Sequence, residues 1–442
     1  MFKTIINAIK TPDVRKRVLY TLLLIVVFRM GCYITVPGVD VLALGEQMKN
    51  ATGTLVGLID TLSGGAFSNL SVFAMSITPY ITASIVIQLL GMIIPSLEKL
   101  IKEGGELGRQ KVNKYTKILS LVLSLIEATG VYITYSHSGI FINPGFLTGF
   151  VVVLTLVTGT AFLMWLGDQI SNKGVGNGIS MLIFIGIISR LPRAAVTISS
   201  LLVVDGAFST KGLLTALIII LGAIVLVAAV VFVQQAERRV PVQYSKKVVG
   251  RKMYGGQNTH IPLKLAMAGV MPIIFASSFM TFPAMLIQIF AADKIGGTGF
   301  LAGLYKFSIA TSTSSGIPWG YSLANALVYL LLIVGFTFFY TLATFNPADV
   351  SQNIKQNGGY IPGIRAGKPT TDYLTSILTK LTWFGAIYLS LIAVIPILAR
   401  FSSIDISFGG TSILIIVGVA LETVQQLESL MVMRHYKGFL EK

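Results

Sequence analysis

Long uncharged runs of apolar residues, separated by short polar segments, dominate the hydropathy pattern of this chain. A helix needs roughly 20 such residues to cross the hydrocarbon core of a bilayer. The pattern predicts ten transmembrane helices: Val18–Val36, Val72–Ile94, Ile118–Tyr135, Phe146–Leu166, Ile179–Leu202, Leu213–Val233, Ile261–Ala291, Tyr321–Phe345, Leu381–Leu398 and Thr411–Met433. The fifth contains Arg190, Pro192 and Arg193, and the seventh contains Pro272 and Pro283. We therefore expect an all-α polytopic membrane protein.

The N-terminal segment 1–17 precedes the first span and is amphipathic. Its apolar residues Phe2, Ile5, Ile6 and Ile9 follow the i, i+3, i+4, i+7 spacing of one helical face. This spacing predicts a short helix that lies along the membrane surface. A basic stretch followed by an apolar run also begins a secretory signal, but no small-residue cleavage site follows here, so the run is interpreted as the first span.

The composition supports a membrane protein and excludes several other classes. Of the 442 residues, 54% are hydrophobic and 12% are charged, whereas about a quarter of an ordinary soluble protein is charged. Disordered chains are rich in charge and poor in aliphatic residues, so disorder is excluded as well. The single cysteine, Cys32, cannot form an internal disulfide, and one cysteine cannot build a cysteine-based metal site.

The positive charges lie mainly on one side of the predicted membrane. The side that carries both termini, including the tail 434–442, holds 26 Lys and Arg residues. The opposite side holds 7, and Arg29 lies within the first span. Because basic loops stay in the cytoplasm, both termini are predicted to be cytoplasmic.

The net charge of +16 leaves two interpretations open. Basic loops can simply set topology and contact anionic lipid headgroups. Alternatively, the two long loops 236–264 and 349–380 form a docking surface for an acidic or nucleic-acid-containing partner.

Motifs for catalysis, metals or nucleotides are missing from the sequence. The histidines His137, His260 and His435 fall in three separate regions without an acidic pair at ligand spacing, and there is no HExxH motif. The segment 363–370 resembles a phosphate loop, but Pro362 and Pro369 occupy the positions of the first glycine and of the Ser/Thr that binds magnesium. We expect no cofactor, no metal, no catalytic residues and no enzymatic activity.

The glycine-rich segment Gly174-Val175-Gly176-Asn177-Gly178 resembles part of a dinucleotide-binding turn. No predicted strand precedes it and no βαβ unit surrounds it. It is interpreted as a flexible segment that leads into the fifth span.

Ionisable residues within the predicted spans are few. The candidates for an ion or proton pathway are Arg29, Glu127, Glu422 and Glu428. Proton and ion pathways are usually marked by such residues, so their scarcity argues against a proton-coupled or sodium-coupled transporter.

The region 53–71, directly before the second span, mixes polar and apolar residues. Its polar and glycine positions include Gly57, Asp60, Ser63, Gly64, Gly65, Ser68 and Asn69. It is either an ordinary outer loop or a short re-entrant helix within a pore, since irregular backbone at membrane depth must be buried in protein or line a cavity.

A series of long motifs follows in order along nearly the whole chain. They are Ser63–Ala66, Pro79–Leu89, Glu103–Arg109, Gly176–Ser180, Asn258–Lys264, Ala268–Pro272, Asn346-Pro347, Ile361–Arg365 and Gly409–Ser412. Together they resemble the bacterial SecY family, the pore subunits of the general protein-secretion channel. Because the motifs are long and do not overlap, a chance match would require many independent coincidences.

The resemblance implies ten helices in two five-helix halves, related as an inverted repeat, around a central hourglass pore. The halves would comprise residues 18–202 and 203–433, and a plug helix at about 53–71 would close the pore. The implied plug residues are Gly57, Asp60, Ser63, Gly64, Gly65 and Phe67. Signal sequences and transmembrane segments would leave sideways through a lateral gate.

The resemblance also assigns a pore ring and polar gate residues. The ring positions fall on Ile81, Ile85, Ile183, Ile187, Ile274 and Ile415, and all six are isoleucine. The i, i+4 spacing within the first two pairs places each pair on one helical face. Gln88, Ser277 and Ser278 are candidates for the lateral gate, although ordinary hydrogen bonds between packed helices would explain them as well.

The same resemblance favours the docking interpretation of the two long basic loops. In the family these loops bind the SecA ATPase or the ribosome. The corresponding candidates are Arg238, Arg239, Lys246, Lys247, Arg251, Lys252, Gly363, Arg365 and Lys368.

The implied function is a protein-conducting channel of the bacterial plasma membrane. Its implied partners are SecE, SecG, SecA, the ribosome, secretory preproteins with their signal peptides, and the lipid bilayer, without sequence-specific nucleic-acid binding. The energy would come from these partners, because the chain lacks a nucleotide site. The alternative is a ten-span secondary transporter for a small solute, with proline-broken helices forming its binding site.

Overall fold

The computed structural model describes residues 10–44, 60, 63–102, 104–136, 139–204, 207–208, 210–244, 247–249, 252–254, 258–291, 297, 299–310, 319–401 and 410–440. The first helices are α1 (Pro12–Gly31), α2 (Thr78–Ile93), α3 (Pro95–Lys102), α4 (Gly105–Ser136), α5 (Phe146–Lys173), α6 (Gly178–Ile188) and α7 (Leu191–Leu202). They are followed by α8 (Thr210–Gln235), α9 (Met271–Phe290), α10 (Phe300–Ile309), α11 (Trp319–Thr344), α12 (Pro347–Gln356), α13 (Lys368–Phe401) and α14 (Gly410–Leu440). The strands are β1 (Val203–Val204), β2 (Ala207–Phe208), β3 (Glu237–Tyr244), β4 (Lys247–Val249), β5 (Lys252–Tyr254), β6 (Asn258–Lys264) and β7 (Gly359–Tyr360).

Helices dominate the structure, as the apolar runs predict, and every predicted span coincides with helical residues. Within the described part of the chain, six helices are long and apolar enough to cross a membrane, or seven if α2 and α3 form one span. The helices of the proline-interrupted fifth and seventh spans are among those that are too short to meet this length. The protein is therefore a multi-pass membrane protein, and ten spans remains a prediction.

The second span begins later than predicted and ends in a sharp corner. Residues 72–77 form turns, and α2 begins at Thr78 rather than at residue 72. Ile94 is extended (φ −97°, ψ 109°), because a residue that precedes a proline is disfavoured in helical geometry. Helix α3 consequently leaves α2 at 110°.

The fifth and seventh spans are shorter than predicted. Pro192 lies in the first turn of α7, where its missing N–H is tolerated, but it could not continue α6 without a clash. The predicted fifth helix is therefore split at residues 189–190. The seventh helix, α9, begins at Met271 because residues 261–264 pair with β3 instead of extending the helix.

The chain packs as two compact units. The first contains the described residues up to Leu217, together with Ser277–Ala326 and those from Ile415 onward, and the second contains Ile218–Ala276 and Leu327–Leu414. The predicted division into halves at residues 202 and 203 draws a different boundary and remains a prediction.

An aromatic stack supports the first unit near the end of α1. Phe73 lies between Phe28 and Phe162, with ring centroids 6.1 and 5.9 Å away. Its ring occupies the space that a side chain at Gly31 would need. The next residue, Cys32, is buried and has a free thiol.

Candidate functional site

The described part of the predicted plug, Asp60 and residues 63–71, is called the plug segment below and is held by a network of polar contacts. The Asp60 carboxylate forms an ion pair with Arg190 and accepts a hydrogen bond from the Ser68 backbone N–H at 2.7 Å. The Asp60 carbonyl accepts from Gly65 N–H at 3.1 Å. The Ser63 hydroxyl also donates to that carbonyl at 3.1 Å. The carboxylate thus organises the segment and ties it to the turn between α6 and α7.

Gly64 provides a second attachment. Its carbonyl accepts hydrogen bonds from Arg29 Nη1 at 3.1 Å and from the Ser189 hydroxyl at 3.2 Å. A Cβ at position 64 would lie 2.7 Å from both Cα and O of Gly186, and the φ angle is +67°. Only glycine fits here, because both the backbone conformation and the approach of α6 exclude a side chain.

The other end of the plug segment joins a backbone ladder and the core. Val36 N–H donates to Leu70 O at 3.0 Å, and Val72 N–H donates to Ile34 O at 2.9 Å. Phe67 and Leu70 belong to a buried cluster with Val36, Val39, Leu44, Ala74, Met75, Ala128, Tyr135, Ile140, Phe141, Val152 and Leu156. The described part of this region is thus packed and bonded, unlike an ordinary exposed loop. Gly57 lies outside the described residues.

The sequence analysis missed three residues of this network, which are Arg29, Ser189 and Arg190. Arg190 was noted only as one of the residues that interrupt the predicted fifth span, and Arg29 only as an ionisable residue within the first span. Arg29 bonds Gly64 O and also donates from Nη2 to the Tyr33 hydroxyl at 3.2 Å. The signal available in the sequence was that Asp60 is an isolated acid in apolar surroundings, while Arg190 lies with Arg193 in another otherwise uncharged run.

The predicted ring isoleucines lie on helices in both units. Ile81 and Ile85 lie on α2, Ile183 and Ile187 on α6, and Ile415 on α14, all in the first unit. Ile85, Ile183, Ile187 and Ile415 are each at most 6% exposed, whereas Ile81 is half-buried. Ile274 lies on α9 in the second unit and is half-buried. A closed ring therefore remains a prediction.

The gate candidates lie on helices as predicted. The Gln88 amide donates to the Ser84 hydroxyl one turn earlier on α2, at 3.2 Å. Ser277 and Ser278 are half-buried on α9. The Gln88 contact is within its own helix, so it favours neither a gate role nor a link between helices.

The two long basic loops meet in one small sheet of the second unit. Strand β3 pairs with β6 along its length and with β7 through Gln243 and Tyr360. The Tyr360 hydroxyl donates to Gln243 Oε1 at 3.0 Å. Beneath the sheet lies a buried cluster of Val240, Val242, Leu263, Ile354, Ile361 and Leu374. Residues 117 positions apart in the sequence, Gln243 and Tyr360, therefore join the two loops in one sheet.

The docking candidates differ in their surroundings on this surface. Arg239 Nε donates to Glu237 Oε1 at 2.6 Å, so an acid on its own strand offsets its charge. Arg365 is exposed, and its carbonyl accepts from the Thr370 hydroxyl at 2.9 Å, which fixes the turn before α13. Arg238, Gly363 and Lys368 are also exposed. Lys247 and Lys252 lie on the β4–β5 hairpin, and Lys246 and Arg251 lie outside the described residues.

Comparison with known proteins assigns the family. The model of the SecY family matches residues 71–424. A protein translocase subunit SecY from Streptomyces scabiei is 42% identical over 456 residues, which cover all of both chains. This full-length similarity gives no support to the solute-transporter alternative.

Solved structures of two protein-conducting channels share the fold. A SecY structure, described in terms of a plug domain that stabilises the closed state, aligns with a TM-score of 0.62 at 20% identity and covers 94% of this chain and 92% of its own. Sec61 in the canine ribosome–channel complex aligns with a TM-score of 0.59 at 18% identity, with the same coverage. The family model, the full-length relative and the shared fold together establish that this chain belongs to the SecY family of protein-conducting channels.

Proposed function

We propose that this chain forms the protein-conducting pore of a bacterial plasma-membrane translocase, with both termini in the cytoplasm. The observation that carries the proposal is the 42% identity, over the whole chain, to a translocase subunit. Unfolded secretory polypeptides pass through the pore, and signal sequences and membrane segments leave it sideways.

The six isoleucines act as an apolar neck. A narrow apolar constriction excludes water and ions because it offers nothing to replace their hydration. The same surface has no specific affinity for any polypeptide, so chains of varied sequence can slide through it. Stiff β-branched side chains suit such a collar, because few rotamers are available to them.

The plug segment closes the pore on one side of this neck. Its contacts with Arg190, Ser189 and Arg29 keep it against the first unit when no substrate is present. These polar contacts hold only the Asp60–Gly65 end of the segment, so an entering chain can displace that end while Phe67 and Leu70 stay in the buried cluster.

The sheet built from the two basic loops docks the partner that drives transport. Arg365 is the principal docking residue, because an exposed guanidinium on a fixed turn can form paired hydrogen bonds with a carboxylate or phosphate. The partner is the SecA motor or the ribosome. SecE braces the channel, and SecG binds at its edge.

The test is protease protection of a labelled secretory precursor in proteoliposomes that contain this chain with SecE. Protection that requires both SecA and ATP is the expected result. Absence of protection despite correct insertion of the complex would contradict the proposal. A saturable flux of a small solute in the same vesicles would instead identify a transporter.

A further inference from the structure

The turn at residues 174–178, between α5 and α6, is bonded to three other parts of the first unit. The Val175 N–H donates to Thr21 Oγ1 on α1 at 3.0 Å. The Gly176 N–H donates to Gln426 Oε1 on α14 at 2.6 Å, across 250 residues of sequence. The Gly178 N–H donates to the Ser171 hydroxyl of α5 at 2.9 Å. The sequence analysis interpreted this turn as flexible, but the N–H groups of Val175, Gly176 and Gly178 are all bonded to defined side chains.

Apolar packing reinforces the same junction. Val175 is 2% exposed and forms a buried cluster with Val14 of α1 and Leu427 of α14. Val18 and Met431 pack against this cluster. The two helices nearest the chain termini are therefore held by one turn, through both hydrogen bonds and apolar contact.

The turn itself is fixed to its own helices. A Cβ at Gly178 would clash with the carbonyl oxygen of Gly167, so α5 and α6 approach each other at backbone distance. The Asn177 side chain caps α6 by accepting from the N–H groups of Ile179 and Ser180. The position of the turn therefore sets where α6 begins.

The last turns of α5 extend the junction to further helices. Asp168 forms an ion pair with Lys117 of α4. Gln169 accepts a hydrogen bond from the Tyr20 hydroxyl of α1 at 3.2 Å. Helices α1, α4, α6 and α14 are thus all attached to residues 168–178.

Two of these attached helices carry the ring isoleucines Ile183, Ile187 and Ile415. Ile415 precedes Gln426 by eleven residues, which in an α-helix is about three turns, or roughly 16 Å along the axis. The two side chains consequently lie on nearly the same face of α14. An axial shift or rotation of α14 at Gln426 is transmitted to Ile415, because a helix is stiff over this length.

We infer that Gln426 and Thr21 are positioning residues for the apolar ring, and that they hold α14 and α1 in register with α6. This inference rests on the proposed function. Neither residue contacts the transported chain in this scheme, and each acts only through the helix that it anchors.

The chain offers matched variants for the test. Gln426→Leu removes the acceptor while retaining most of the volume, and Gln426→Glu retains an acceptor oxygen. Thr21→Val is isosteric but removes the hydroxyl, which also donates to Arg17 O at 2.9 Å, whereas Thr21→Ser preserves both bonds. Ser429→Ala is the control on α14, because Ser429 bonds only within its own helix, to Gln426 O.

The measurement is the resting ion conductance of the intact translocase complex in planar bilayers. One net hydrogen bond shifts a two-state equilibrium roughly fivefold. Gln426→Leu and Thr21→Val are therefore expected to raise the resting leak about fivefold, while Gln426→Glu, Thr21→Ser and Ser429→Ala keep it low. Hydrogen exchange at Gly176 N–H should accelerate in Gln426→Leu and be restored in Gln426→Glu.

Three outcomes would overturn this inference, and the first of them leaves the proposed function intact. If Gly176 N–H loses protection in Gln426→Leu but the leak stays at the parental level, the positioning role is overturned and the channel proposal survives. If Ile415→Asn itself leaves the conductance unchanged, the ring fails and the inference fails with it. Equal leak in Gln426→Leu and Gln426→Glu would also overturn the inference, because the acceptor oxygen would then be irrelevant.

Discussion

Asp60 and Arg190 form an ion pair that joins the plug segment to the turn between α6 and α7, with side chains that are 8% and 20% exposed. A buried carboxylate that loses its cation retains the cost of desolvation without its compensation. Removing one partner of the pair should therefore cost more stability than removing both partners.

Replacing Arg190 should destabilise the plug segment. Arg190→Met leaves the Asp60 charge uncompensated and should cost about 3 kcal/mol, the lower end of the range for breaking a buried pair, because Arg190 is partly exposed. The measurements are the free energy of unfolding of the purified complex and its resting ion conductance. We expect the free energy to fall and the conductance to rise.

Two further variants serve as controls for that experiment. Arg190→Lys keeps the charge and should retain most of the stability. The double variant Asp60→Leu with Arg190→Met removes both charges and should recover much of the loss. A double variant as unstable as Arg190→Met alone would show that the carboxylate is not the cause.

Neighbouring glycines in the plug segment should differ in their tolerance of alanine. Gly64 and Gly65 both have positive φ angles, +67° and +91°, which cost a non-glycine residue about 1–2 kcal/mol. A Cβ at Gly65 meets nothing within 4 Å, whereas one at Gly64 meets the backbone of Gly186. Gly64→Ala should therefore lower the melting temperature of the complex more than Gly65→Ala, and equal shifts would contradict the close approach of α6.

Polar substitution in the ring should open a leak. Ile85→Asn and Ile415→Asn each place an amide at a position that is 4% or 5% exposed, which allows water to wet the neck. Both are expected to raise ion conductance and to relax the requirement for a functional signal sequence. Ile93→Asn is the control on α2, since Ile93 is 74% exposed; the ring assignment is lost if this variant leaks as much as Ile85→Asn.

Charge reversal at the docking turn should block transport that depends on the motor. Arg365→Glu is expected to abolish SecA-dependent translocation while expression and insertion remain normal, because the guanidinium would be replaced by a repelling carboxylate. Lys111→Glu is the control: it makes the same charge change at an exposed residue of α4 outside both loops, and it should translocate normally. Full translocation by Arg365→Glu, measured by protease protection, would remove Arg365 from the docking surface.

The sequence predicted the helices better than their ends. Long apolar runs locate spans because lipid requires them, and α8 and α11 follow the predicted runs, whereas α13 begins at Lys368, well before the predicted Leu381. The seventh span was extended too far, because residues 261–264 are apolar enough for a helix yet pair with β3. Composition alone cannot distinguish these two outcomes, because the choice depends on whether residues 261–264 find β3 as a pairing partner.

The candidate site could be predicted only where its residues lie close together in the sequence. The docking loops are recognisable from their length and charge. Their joining in one sheet depends on the pairing of β3 with β7 at Gln243 and Tyr360, which the sequence pattern does not reveal. Ser189 and Gly64 are bonded across 125 residues, and no short-range pattern encodes such a contact. The same reason explains why the 174–178 turn was interpreted as flexible, since its partners Thr21 and Gln426 lie at opposite ends of the chain.

The burial of Cys32 gives the protein a practical advantage for labelling. It is the only cysteine in the sequence, and it is 2% exposed. A maleimide reagent needs an accessible thiolate, so the native residue should react slowly in the folded complex. Cysteines introduced on the sheet of the two basic loops can therefore be modified with fluorophores or crosslinkers while position 32 keeps its natural residue.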